Sequence, residues 1–317
     1  LAAKRKTLPM RYIISLALAS LPLAALAEVP SVVTDIPPVH ALVAQVMGDL
    51  GQPELLLGKG ADEHDFQLRP SQAGAVAEAG LVVWIGPELT PWLETALETR
   101  PEGAASLALL DAEGTDRRGY ADGGEPAEKA HDDGEHEDAH DHGHGAEDPH
   151  AWLDPDNAQV WLGLIAARLG ELDPENAATY TANAAAAATE VAALDAGIVA
   201  RLAAVKGTPV MTFHDAYGYF GAHYGLNFAG SIALGDAASP GAARLSELRA
   251  VLEAGDVLCI FPEVQHDPKL VAQMAEGTGA KIGGALDPVG SSLEPGPGAY
   301  AALLTGLAET MATCLEG

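Results

Sequence analysis

Residues 131–150 read HDDGEHEDAHDHGHGAEDPH, placing six of the chain's 11 histidines in twenty positions crowded with carboxylates. Imidazole and carboxylate are the side chains that hold borderline divalent cations, and a His-rich acidic tract is a compositional mark of metal binding. The tract is too polar and Gly-rich to bury anything, so it is expected to be a mobile loop spanning about 120–148. His131, His136, His140, His142 and His144 would bind several ions weakly there, because ordering the chain around each ion costs entropy. A tolerated insertion with no necessary role is the plain alternative.

Three further histidines stand where a tight site could form. His64 lies in GADEHDFQLRPSQ, between a strand and a helix. His150 lies in DPHAWLDPDNA, where order resumes after the tract, and His214 ends the run PVMTF. In open α/β sheets such strand ends line the ligand crevice. Three imidazoles from separate segments could converge on one ion with bonds of roughly 2.0–2.1 Å. Any one of them alone would read as an ordinary surface or structural histidine. His40 and His223 fall within helical patterns, where a core or surface role is the default, and His266 is less well placed.

The elements that must position these residues alternate. SVVT (31–34), 54–57, LVVWI (81–85) and 107–110 read as strands, with helices over 38–50, 70–80 and from Thr90. PVMTF (209–213), 227–232, 257–261 and 280–284 repeat the grammar, with helices over 216–224, 240–254, 267–277 and 297–315. Short, continuously apolar strands between helices indicate mostly parallel sheets covered on both faces, hence an α/β fold. Between the halves, 174–205 is Ala-rich and almost free of breakers. About 30 helical residues span on the order of 45 Å, which suits a strut from one α/β lobe to another. The expected organisation is a signal segment 1–27, an N-terminal lobe 28–173, a linking helix 174–206 and a C-terminal lobe 207–317.

Composition narrows the partners. The formal net charge of −28 argues against nucleic acid and anionic membrane surfaces, since a polyanion gains no counterion release from an acidic protein. Lys4, Arg5, Lys6 and Arg11 precede the apolar run 12–27, which ends Ala25-Leu26-Ala27. This is the pattern of a cleavable export signal cut after Ala27, with Met10 as a candidate start. Export brings an oxidising compartment, in which the two cysteines, Cys259 and Cys314, either pair or remain as buried thiols.

GADEHDFQLRPS, LVVWIGPEL, DPHAWLDPDNA, FHDAYGYF and GALDPVG occur here in the order found in the cluster A-I solute-binding proteins of metal ABC transporters, and the chain resembles that family from about Val32 to its C-terminus. The His-rich acidic loop resembles the zinc-specific, ZnuA-like branch, as do VLCIF and the terminal ATCLEG, whose cysteines pair in that branch. The resemblance implies two α/β lobes joined by one long rigid helix, with metal held between them. It implies His64, His150 and His214 as imidazole ligands. It gives Glu63 as a carboxylate ligand or the group that orients a water, and Asp287 as a carboxylate ligand or a structural residue of the Asp-Pro turn. Three imidazoles and one oxygen suit Zn2+ better than Mn2+, which prefers more oxygens. The function implied is periplasmic capture of Zn2+ by a monomer. It would deliver the ion to an inner-membrane ABC permease, with a periplasmic zinc chaperone as a further partner. The alternatives are a manganese or other divalent-metal protein of the same family, a zinc-dependent hydrolase, and an adhesin or zinc buffer. No H-E-x-x-H motif supports the hydrolase.

Overall fold

All three residues of β1 (Val32–Thr34) are buried, and a strand buried on both faces needs helices on both sides. The structure, a computed structural model, describes residues 29–61, 63, 66–120, 147–233 and 240–317. The signal segment, His64, and the tract histidines His131, His136, His140, His142 and His144 lie outside the described residues. After β1 come α1 (Pro37–Met47), β2 (Glu54–Leu55), α2 (Pro70–Glu78), β3 (Leu81–Trp84), α3 (Pro91–Glu98) and β4 (Ala105–Ala108). The four strands are all parallel, in the order β2-β1-β3-β4, with Val33 opposite both Glu54 and Val82. Asp35, buried just past β1, accepts from the Ile36 and Ile85 N–H groups at 2.8 Å each and so ties the ends of β1 and β3 together. Burial pushes its carboxyl up to about 7 despite those backbone bonds.

β5 (Arg118–Gly119) and β6 (Glu147–Asp148) pair antiparallel and clasp the two ends of the stretch 121–146. The sequence reading carries the loop through 148, whereas Glu147 and Asp148 already belong to this ladder. Arg117 fastens the clasp through Asp111, at 2.7 Å, and Glu147. The Arg118 N–H donates to the Tyr219 hydroxyl at 2.8 Å.

The expected strut over 174–205 is in fact the second arm of a helical hairpin. α4 (Pro155–Leu172) runs up and α5 (Ala177–Leu202) runs back, and the sequence reading placed no helix over the first arm. The break falls at 173–176, where the Asp173 carboxylate accepts from Asn176 Nδ2 (2.7 Å) and Tyr180 Oη (2.9 Å). The 26 residues of α5 span roughly 39 Å. Its buried positions, Tyr180, Ala184, Ala187, Val191, Ile198 and Leu202, form one stripe at helical spacing. It packs on α1 and α4 and, further along, on the helices of the second half. Asn183 Nδ2 donates to the Val46 carbonyl at 3.0 Å, and Gly48, at φ +53°, lies so close that a Cβ there would meet the same amide at 2.7 Å.

The second half contains β7 (Pro209–His214), α6 (Gly218–Tyr224), β8 (Asn227–Ala233), α7 (Ala242–Ala254), β9 (Cys259–Ile260), α8 (Lys269–Ala275), β10 (Lys281–Ile282) and α9 (Ala299–Glu316). Its sheet is also all parallel, in the order β10-β9-β7-β8. β9 and β10 are shorter than the apolar runs suggest, because only two residues of each reach a neighbouring strand. The α/β fold thus consists of two lobes with parallel four-stranded sheets, spanned by one long helix. Arg201 of α5 pairs with Glu309 and Glu316 of α9, at 2.8 and 2.6 Å. No described helix is long and apolar enough to cross a membrane.

Cys259 and Cys314 are joined, tying β9 to α9 across 55 residues. A loop of that length corresponds to about 4 kcal/mol in the chain-entropy view. Reduction of the exported protein is expected to lower its melting temperature while leaving tight zinc in place, since neither sulfur lies at the candidate centre described below. Calorimetry with and without reductant, alongside metal analysis, checks this.

His223 of α6 bridges the long helices. Nδ1 lies 3.0 Å from Asp154 Oδ1 and Nε2 lies 2.9 Å from Asp195 Oδ1. The Asp154 hydrogen bond is the main cause that raises the imidazole to about 9, outweighing burial, with Asp195 adding to it. A histidine whose folded value exceeds its unfolded value contributes stability fully below about 6.5 and loses it as pH rises through the folded value. The metal-free protein is therefore expected to lose melting temperature between about pH 6.5 and pH 9.5. His223→Gln should flatten that slope in the same window.

Candidate metal centre

His150 is positioned from both sides. β6 delivers Asp148, and Asp148-Pro149-His150 turns into a short 3-10 helix, Ala151–Leu153, before α4 begins. The completely buried His150 ring places Nδ1 2.7 Å from Asp148 Oδ1, which also accepts the His150 backbone N–H at 2.9 Å. Gly218 makes room for this carboxylate, because a Cβ there would meet Asp148 Oδ2 at 2.8 Å. Trp152, against His150, donates Nε1–H to the Pro288 carbonyl at 2.8 Å, and the Tyr300 hydroxyl donates to the Trp152 carbonyl at 2.9 Å. The C-terminal lobe thereby grips the segment that carries His150.

His214 is the last residue of β7, at the carboxyl end of a parallel strand, where α/β sheets place their ligands. Its Nδ1 lies 2.7 Å from Glu263 Oε2, and the Tyr217 hydroxyl donates to Glu263 Oε1 at 2.8 Å. Glu263 itself follows β9 and is buried. Burial would raise its carboxyl, but His214, Tyr217 and His266 outweigh that and hold it below the ordinary value. Burial and the charge of Glu263 push the Tyr217 phenol well up, so it stays a donor.

A carboxylate only accepts, so each Nδ1 carries a proton, and each ring in its neutral form presents its Nε2 lone pair. The two Nε2 atoms lie 3.4 Å apart. Two nitrogens bound to one tetrahedral zinc at 2.0–2.1 Å are about 3.3 Å apart. With both rings neutral, a cation between the two Nε2 atoms would accept both lone pairs. Carboxylate-backed imidazoles are the usual outer support of a zinc site.

Glu63, the residue before His64, is buried, and its Oε2 accepts from Gln265 Nε2 at 3.0 Å. Its carbonyl accepts from Trp92 Nε1 at 3.0 Å. Gln265 comes from the opposite lobe and also donates to the Ala61 carbonyl at 3.1 Å, so it ties Ala61 and Glu63 to the second half. Asp287 lies within electrostatic reach of Tyr217, as Glu63 does. Both Asp287 oxygens accept from the following turn: Ser291 N–H at 2.9 Å and hydroxyl at 3.3 Å, Ser292 N–H at 2.8 Å and hydroxyl at 2.5 Å. That geometry is the one expected of the structural reading of this residue.

The structure brings His150 and His214 together, and Glu63 and Asp287 lie within electrostatic reach of Tyr217, which donates to the carboxylate behind His214. Asp148, Tyr217 and Glu263 there did not emerge from the sequence, and His266, less well placed by sequence, lies beside Glu263. His266 Nε2 lies 3.7 Å from Glu263 Oε2, and its ring stacks on Phe213 with centroids 4.2 Å apart. Asp148 had a signal, the Asp-x-His spacing. Glu263 had a fainter one, a carboxylate just past an apolar strand.

The zinc-uptake complex component A (ZnuA, periplasmic) family model matches residues 32–314. The high-affinity zinc uptake system protein ZnuA of Paracoccus denitrificans is 50% identical, over 97% of this chain and 98% of its own length. The protein of the same name from Brucella suis is 37% identical, over 91% and 92%. Among solved structures, the laminin-binding protein Lmb of Streptococcus agalactiae, described as having adhesin and metal-transporting activity, superposes with a TM-score of 0.72. It is 25% identical, and the match covers 90% of this chain and 99% of that one. The chain belongs to the ZnuA family of periplasmic zinc-uptake components.

Proposed function

We propose that this protein captures Zn2+ in the periplasm between its two lobes and hands it to the permease of an ABC importer. The observation that carries this reading is the pair of carboxylate-backed Nε2 atoms 3.4 Å apart. In this assignment His64, His150 and His214 are the imidazole ligands. Glu63 supplies the fourth, oxygen position, and Asp287 anchors the adjoining turn. Cleavage after Ala27 and action as a monomer belong to the same proposal, as does a periplasmic chaperone that supplies zinc. Membership of a family of zinc-uptake binding components sets aside the hydrolase alternative.

Three imidazoles favour Zn2+ over Mn2+, whose preference is for more oxygen ligands. Zinc titration of the mature protein against a chelator is expected to give one tight ion, which excess Mn2+ does not displace. Mn2+ displacing it at comparable concentration would overturn the assignment. His64→Ala, His150→Ala and His214→Ala should each weaken the tight ion far more than His131→Ala or His144→Ala, because the tract histidines are redundant. Equal, small losses in all five would sink the single-centre reading. Removing residues 122–146 should abolish the weak ions and spare the tight one.

The support behind the ligands is testable separately. Loss of a carboxylate partner typically costs roughly 10–100-fold in metal affinity. Asp148→Asn and Glu263→Gln are expected to fall in that range. Gly218→Ala should weaken zinc by displacing Asp148, though residue 218 offers no ligand. Competition titrations that find Gly218→Ala indistinguishable from wild type would show that Asp148 tolerates movement.

A further inference from the structure

The bridge formed by His223 contains more negative charge than one imidazolium requires. Asp154, at the N-terminus of α4, is nearly fully buried and accepts the Asp156 N–H at 2.9 Å. Asp156 Oδ2 lies 3.9 Å from His223 Nδ1, and Asp195 approaches Nε2 from α5. One ligand atom each from Asp154, Asp156 and His223 falls within 4.8 Å of the others. Among the described residues, no Lys or Arg pairs with any of the three carboxylates. The Tyr224 hydroxyl is buried beside the cluster, reaches Asp195, and sits in the field of Asp195, Asp154 and Asp156. Its ring meets that of His223 edge-on, with centroids 4.7 Å apart.

We propose that Asp154, Asp156 and His223 form a second divalent-cation site, in which the metal takes the place of the proton on His223 Nδ1. Asp195 then keeps its hydrogen bond from Nε2–H and becomes the carboxylate behind a metal-bound imidazole, the role Asp148 and Glu263 play for His150 and His214. Donor atoms around a tetrahedral zinc lie about 3.3–3.5 Å apart. Nδ1 and Asp154 are already near that spacing, and the Asp156 side chain, 73% exposed, is free to swing in. Tyr224 offers its hydroxyl to Asp195 or to a water on the ion. One imidazole and two carboxylates form a nitrogen–oxygen site for zinc-like or manganese-like ions. It is weaker than a three-imidazole centre, because the ion must displace a proton. Asp154 leads into α4, Asp195 lies on α5 and His223 on α6, so an ion there would strap both lobes to the long helix.

The probe is 113Cd2+, added to the mature full-length protein after one equivalent of zinc has filled the tight centre. Binding at the tract is common to every variant and forms the background. Wild type is expected to take up one more ion than Asp156→Asn and one more than His223→Gln, and the corresponding 113Cd resonance should vanish in both. The tight zinc should remain in each. Asp156 is exposed, so its substitution tests the site without threatening the fold. If Asp156→Asn binds as many ions as wild type, the proposal fails, whatever His223→Gln does, and the cluster is only an imidazolium clamp.

Discussion

The arrangement around the metal centre depends on one constraint: two imidazoles must be held with their protons turned away from each other. Asp148 fixes one and Glu263 the other, and each carboxylate is supplied by a different lobe. Neither lobe alone can set the 3.4 Å between the Nε2 atoms. Much else in the fold serves that distance. The clasp of β5 with β6 locates Asp148 however long the intervening stretch is, and Trp152 and Tyr300 lock the following turn to the second lobe. Gln265 brings the Glu63 segment over from the other side.

The long helix and the disulfide set the frame within which those contacts form. α5 is held near one end by Asn183 against α1, and near the other by Arg201 against α9. The bond from Cys314 reaches back to β9, the strand that launches Glu263. A packed helix transmits position because close-packed side chains leave it no alternative seating. The same logic explains the alanines of α5: small side chains let neighbouring helices approach closely.

What the sequence disclosed follows from where the information sits. His150 and His214 stand next to strand ends, and that local pattern is enough to nominate them. The parallel sheets were legible because fully apolar strands such as LVVW have no exposed face. Their partners were not. Glu263 meets His214 across 49 residues, and nothing near either position encodes the meeting. The break before α5 was legible at Pro174, where Asp173 also captures Asn176 and Tyr180, but the helix over 155–172 was not. His223 looked like an ordinary helical histidine because its carboxylates arrive from two other helices.

Charge balance gives the centre a further preference. Asp148, Glu263 and Glu63 are buried carboxylates around the two imidazoles, and buried negative charge is costly unless compensated. A divalent cation compensates more of it than a monovalent one, and neutral water compensates none. Glu263 is held anionic against its burial by the charge and hydrogen bond of His214, the Tyr217 hydroxyl and His266. Imidazole count then separates zinc from harder divalent ions. The support groups thus favour a multiply charged ion, and the ligand atoms select its softness.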